Sequence, residues 1–154
     1  MAYYRDAVID DCAILAPKMR QQDATEVWHS NGMSPLEALY MSYDICGENH
    51  TIIDDHGEII GMFGCGHNEE TPNIGVPWLL ASDKLPTITR EFLPQSKEWI
   101  DSLDEKYDML FNFVHADNKV SIRWLKWMGF KFLRKQYYGV NPSEFYPFVK
   151  LKGA

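Results

Sequence analysis

The chain has 154 residues, enough for one domain that buries roughly 70% of its unfolded surface in a single core. Its 15 basic and 22 acidic residues leave a net charge of −7, which argues against generic binding to nucleic acid or anionic membrane, where lysine and arginine must neutralise phosphate. Hydrophobic residues at 45% argue against disorder, and aromatic residues at 14% allow a well-packed core or a sticky partner surface.

Residues 3–9 alternate loosely, as a first strand does. The opening MAYYRDAVIDD lacks the apolar core of a signal peptide, and no apolar run reaches the about 18 residues of a membrane span. Asp10 and Asp11 offer an N-cap for a helix running to Met19 and Arg20, which Pro17 should bend or shorten. Asp23-Ala24-Thr25-Glu26 has the spacing of a capping box and predicts the start of a second turn or helix, with a turn at Asn31-Gly32. Ser34-Pro35-Leu36-Glu37 is the clearest helix start: Ser34 caps, Pro35 takes the first position and Glu37 bonds back. Leu36, Leu39, Tyr40 and Tyr43 then mark one apolar face.

Residues 51–54 and 58–66 read as a β-hairpin about the turn Asp55-His56-Gly57, and 76–81 as a third apolar strand. From Thr87, the residues Ile88, Phe92, Trp99, Ile100 and Leu103 recur at helical spacing, with a kink expected at Pro94. Residues 109–114 read as a buried strand and 118–128 as a helix ended by Gly129. The last two strands are predicted over 131–138 and 145–151. Each of the apolar runs 76–81 and 109–114 is followed by a helical pattern, so the two should lie parallel, with Phe92, Trp99, Trp124 and Phe130 largely buried.

Cys12, Cys46 and Cys65 are odd in number, widely spaced and without a CxxC, which points away from a disulfide framework or zinc site and toward a reducing cytoplasm. The histidines His29, His50, His56, His67 and His115 form no HExxH or i, i+4 pair, so no metal is expected. His56 falls in a solvated turn. His115 ends a predicted buried strand, where a parallel sheet presents ligand-binding groups; the plainer reading is a strand-end histidine bonded to backbone. No GxSxG, GxxxxGK[ST] or GxGxxG occurs. Gly61, Gly64 and Gly66 crowd one hairpin strand, which points either to close approach of a ligand or chain or, the favoured reading, to a twist or bulge. Lys119, Arg123 and Lys126 make a basic stripe, either an ordinary solvated face or a phosphate contact, while Val120, Trp124 and Trp127 share a face read as core.

The order of elements, the hairpin TIIDDHGEIIGMFG, the segment FNFVHADNKVSIRWLKWMGFKFL and the aromatic C-terminal strand pair together resemble the GNAT family of N-acyltransferases over the whole chain. Asn118, Ser121, Gly129 and Phe130 fit the family's spacing. The resemblance implies a single α/β (α+β) domain with a mixed, mostly antiparallel sheet, a parallel fourth and fifth strand, and helices on both faces. It further implies acetyl-CoA as cofactor and acyl transfer to an unidentified amine. Cofactor contacts would come from Leu79, Leu80, Ala81, Lys84, Thr87, Arg90, Asn118 and Ser121, with a backbone N–H near Leu80 on the thioester carbonyl and His115 or Asp83 as base. Two departures stand against it. The family's glycine-rich pyrophosphate loop is here Ser82-Asp83-Lys84-Leu85-Pro86-Thr87-Ile88-Thr89-Arg90, without glycine, with a repelling Asp83 and with Pro86 lacking an N–H. The position of the family's thiolate-protonating tyrosine is Leu125.

A narrower resemblance rests on MRQQDATEVW, SPLEAL, GVPWLLASDKL, REFLPQSKEWI and ADNKVSIRWLKWMGF. It is to GNAT-like proteins of tailed phages, a group that includes the T7-type internal virion proteins of gene thirteen. It implies a phage-encoded protein in the infected cell's cytoplasm or in the virion. The alternative to an enzyme is then a catalytically inactive module whose partner is a virion or host protein.

Overall fold

A computed structural model describes all 154 residues. The chain opens with β1 (Tyr3–Asp6), then α1 (Asp10–Leu15), a short 3-10 turn over Ala16–Lys18, α2 (Gln21–Asn31) and α3 (Pro35–Ile45). Pro17 ends α1 in that turn, as its missing N–H requires. Ser34 and Glu37 form the expected capping box on α3. The box expected at Asp23 does not form: α2 starts at Gln21 after an extended Arg20, and the Asp23 carboxylate is drawn to that buried guanidinium instead.

The strands β2 (Glu48–Ile53), β3 (Ile59–Gly66) and β4 (Ile74–Ala81) join β1 in an antiparallel meander. Then come α4 (Leu85–Ser102), β5 (Met109–His115), α5 (Lys119–Trp127), β6 (Lys131–Phe132), β7 (Gln136–Tyr138) and β8 (Ser143–Leu151). The sheet order is β1-β2-β3-β4-β5-β8-β6, with β7 also on β8. The helix α4 runs on through Pro94. The single strand expected over 131–138 is two strands, and Pro147 of β8 is the reason. Its carbonyl accepts from Leu133 N–H, so its missing N–H lies on the same side and interrupts the ladder there.

One core packs Phe63, Phe92, Trp99, Trp124 and Phe130 between the sheet and α4/α5; a second packs Leu15, Leu39, Met62 and Leu80 under α1 and α3. Trp124 is buried with Ile122 and Met128, whereas Val120 and Trp127 are exposed; α5 is rotated from the orientation its sequence pattern suggests. No helix is long and apolar enough to cross a membrane.

β4 and β5 are parallel, but they pair only at Ile74–Met109 and Gly75–Leu110. The next β4 residue facing β5 is Pro77, which has no N–H to give. The side-chain amide of Asn112 on β5 reaches the Pro77 carbonyl instead, at 2.8 Å. Beyond this point the strands part.

Candidate functional site: the slot between β4 and β5

The parted strands enclose a cavity of about 500 Å³ that passes through the sheet. Phe92, Trp99, Trp124 and Leu125 line it on the α4/α5 side, and Val27, Met41 and Trp78 on the other. The N–H of Ser82 goes to Ile60 of β3 and that of Ala81 goes away from β3. By strand alternation the N–H and C=O of Leu79 therefore face the slot, and those of Leu80 face β3. The main-chain N–H that faces the slot next to Leu80 is thus that of Leu79.

The wide end of the slot is closed by the lead-in to α2. Arg20 donates its backbone N–H to Ala81 O at 2.8 Å, and Met19 bridges Ser82. The Arg20 guanidinium holds Asp23 through Nε at 2.6 Å and Nη2 at 3.0 Å, and Nη2 also donates to Ser121 Oγ at 2.9 Å. Asp23 Oδ2 accepts the Ala81 N–H at 2.9 Å, and Asn118 Nδ2 lies 3.4 Å from Asp23 Oδ1. Arg20 and Asp23 are both buried. Burial pushes the Asp23 carboxyl above the ordinary carboxylate range, and the guanidinium offsets only part of that rise. Arginine stays cationic, so one carboxylate must stay ionised beside it, and the two-pronged geometry assigns that role to Asp23.

Glu26, one turn further along α2, lines the slot. Its Oε1 accepts the His115 backbone N–H at 2.5 Å and its Oε2 lies 3.5 Å from Asn118 Nδ2. Burial first, and the charge of Asp23 second, push its pKa up to about 8. α2 is pinned over the slot by the turn between β7 and β8. The N–H groups of Val140 and Asn141 donate to Ser30 O and His29 O, the Asn141 amide donates to Trp28 O, and Gly139 sits at φ +103° against the His29 backbone.

Of the residues expected from the sequence, Leu79, Leu80, Ala81, Asn118 and Ser121 meet at the slot. His115 enters only through its main chain. Its Nδ1 accepts the Asp117 N–H at 3.2 Å, its Nε2 therefore donates to Ser143 Oγ at 2.9 Å, and its ring stacks on His29 away from the slot. Asp83 is exposed and does not line the slot. Neither is placed as the expected base. Lys84 pairs with Glu58 at 2.9 Å, Thr87 Oγ donates to Lys84 O, and Arg90 is exposed. Arg20, Asp23 and Glu26 were not anticipated. Their i, i+3, i+6 spacing places three charges along one face of α2, the available signal, but a capping-box reading absorbed the two acids.

The fold as a whole, a mostly antiparallel sheet with one parallel pair and helices, superposes on solved structures. The GNAT superfamily phosphinothricin acetyltransferase from Sinorhizobium meliloti, in complex with AcCoA, superposes with a TM-score of 0.72 at 17% identity, over 99% of this chain and 89% of that one. This is the GNAT fold. Ard1 from Thermoplasma volcanium gives 0.72 at 17% identity, over 97% of each chain. Spermidine N-acetyltransferase from Vibrio cholerae, in complex with CoA and spermine, gives 0.69 at 11%, over 98% and 95%. The sequence model of the family described as "Bacteriophage T7, probable scaffold protein Gp13" matches residues 65–137. No curated protein matches the sequence.

The residues of this GNAT-fold chain do not form a cradle for the pyrophosphate of acyl-CoA. At the start of α4, Lys84 N–H is taken by Ser82 Oγ, Leu85 N–H by Ser82 O and Thr87 N–H by Lys84 O, and Pro86 has none. On the β4 edge, both main-chain groups of Ala81 are held by Arg20 and Asp23. The chain's own Arg20 and Asp23 thus stand against Ala81 and Ser121, two of the residues the resemblance gives as cofactor contacts.

Proposed function

We propose that this protein is a GNAT-fold module that works without acyl-CoA, encoded by a tailed phage and acting in particle assembly or in the virion through a protein partner. The observation that carries this reading is the Arg20–Asp23 pair closing the β4–β5 opening onto Ala81 and Ser121. The match of residues 65–137 to a family described as a phage scaffold protein supports the setting. Its place of action is then the infected cell's cytoplasm or the particle.

A second reading, acyl transfer from acetyl-CoA to an amine, is favoured by Glu26. A carboxyl with a pKa of about 8 inside the slot is suited to take a proton from an ammonium group near neutral pH.

Calorimetric titration with acetyl-CoA separates the two. The first reading expects at most weak binding that vanishes as salt rises, because only exposed cations such as Arg90 can meet the phosphates, and Arg90→Glu should remove it. Tight, salt-resistant binding unchanged by Arg90→Glu, with acetyl transfer to an amine seen by mass spectrometry, selects the second.

A further inference from the structure

We infer that the exposed face of α5, together with the adjoining edge of the sheet at β6–β8, binds a single strand of nucleic acid. The net charge of −7 hides an uneven distribution. Residues 118–143 hold six of the 15 cations and none of the 22 acids. Lys119, Arg123, Lys126, Lys131, Arg134 and Lys135 are all exposed, and only Lys135 is in an ion pair, with Glu144 at 3.6 Å. Over the rest of the chain the acids outnumber the cations, so this tract is where a polyanion can approach.

The rings among these cations decide the kind of polyanion. Lys126 Nζ lies 5.6 Å over the Phe132 ring, Phe132 meets Tyr146 at 6.0 Å, and Lys135 Nζ lies 5.9 Å over Tyr146. The two part-buried rings thus hold two ammonium groups in a row across β6 and β8. Bare rings lie beyond each end of that row. Trp127, beside Lys126, is 50% exposed, and Tyr137, two residues after Lys135, is 75% exposed. Tyr137 pairs with Glu144, so by alternation it shares the sheet face of Tyr146. Along α5, Lys119, Arg123 and Trp127 follow at four-residue steps on the free face of the helix.

Cations for phosphates, with ring faces beside them for bases, are the two parts of a single-strand platform. A duplex keeps its base faces stacked inside and meets the cations alone. An acidic protein segment also meets the cations, but the bare rings stand at opposite ends of the row and form no joint apolar pit for its side chains. The acid on this face, Glu144, is engaged by Lys135. None of these residues lines the slot between β4 and β5, so the inference goes beyond the assembly reading and does not rest on it.

The test is fluorescence anisotropy of a labelled oligothymidylate of about 20 nucleotides with the full chain, over a salt series. The strand should bind, with an affinity that falls linearly in log–log form as salt rises. Lys126→Glu and Trp127→Ala should each weaken binding about tenfold, Lys126→Glu should also flatten the salt slope, and Trp127→Phe should retain most of the affinity. Lys106→Glu, the same charge change at an exposed cation outside the tract, should leave binding within about twofold. Each substituted side chain is exposed, so the variants keep the fold. Duplex DNA of the same length should bind about tenfold weaker, and polyglutamate at equal charge should not displace the strand. No binding at low salt, a duplex bound as tightly as the single strand, Lys106→Glu as damaging as Lys126→Glu, or Trp127→Ala without effect would each overturn the inference. Displacement by polyglutamate would overturn it in favour of an acidic protein partner. None of these results would bear on the acetyl-CoA titration or the reading it tests.

Discussion

Asp23 and Glu26 lie one turn apart on α2, and burial pushes both carboxyls up, but only Asp23 has a guanidinium in two-pronged contact with it. For Glu26 the sign of the pH effect follows directly. Its pKa is near 8 in the folded chain and about 4.5 when unfolded, so across that interval the folded state holds the extra proton. Stability is therefore lost as pH rises from about 4.5 to about 8. Glu26→Gln removes this dependence, and urea unfolding of both proteins at several pH values should show the wild type falling relative to the variant over that window. An unchanged difference would show that Glu26 titrates normally. The sequence hid this pair in a physical sense. Asp-x-x-Glu before an apolar residue is the spacing of a helix cap, and only the buried Arg20, brought in by the tertiary fold, turns the acids inward. His115 misled in the opposite direction: the strand end was located well, but the ring's rotamer, set by Ser143 and the Asp117 N–H, was not written in the local sequence.

Elements were more legible than side-chain directions. The Ser34 cap, the hairpin about Gly57 and the strand–helix unit at 109–128 all rest on local chemistry, and each formed. Where a boundary moved, a partner strand or helix moved it, as Pro147 did in splitting β6 from β7. The turn between β7 and β8 shows how one element can hold another. It covers three carbonyls at the end of α2, and Gly139 makes the approach possible by taking φ +103° with no Cβ against the His29 backbone. Gly139→Ala should cost about 1–3 kcal/mol in stability. Hydrogen exchange should speed up first at Val140 and Asn141, ahead of the β5–β8 ladder. Equal protection of those two amides in both proteins would mean that the turn does not hold α2.

At the scale of the molecule, Arg20 joins parts far apart in sequence: α2, the end of β4 and the start of α5. Arg20→Met should cost about 3–5 kcal/mol, because it leaves the Asp23 charge buried without a partner. Replacing Asp23 by Leu in the same chain should recover part of that loss, a coupling that a double-mutant cycle by chemical denaturation reads out; additive losses would show the pair to be incidental. The parallel relation of β4 and β5 was legible from the apolar runs each followed by a helical pattern, but this cross-tie was not, since it joins residues 20, 23, 81 and 121 that share no local pattern. Pro77 has a further effect. By ending the ladder after Gly75 and Leu110, it leaves β1–β4 and β5–β8 as two hydrogen-bonded plates that meet along a seam only two residues long. Mechanically, the molecule is a pair of stiff leaves with a short spine at one end and a side-chain clasp at the other. A pull that separates the leaves meets little backbone resistance between them, whereas a pull along either leaf must shear a full antiparallel ladder. In a large assembly that transmits force between neighbours, the direction in which this chain is gripped would decide whether it behaves as a brace or as a joint.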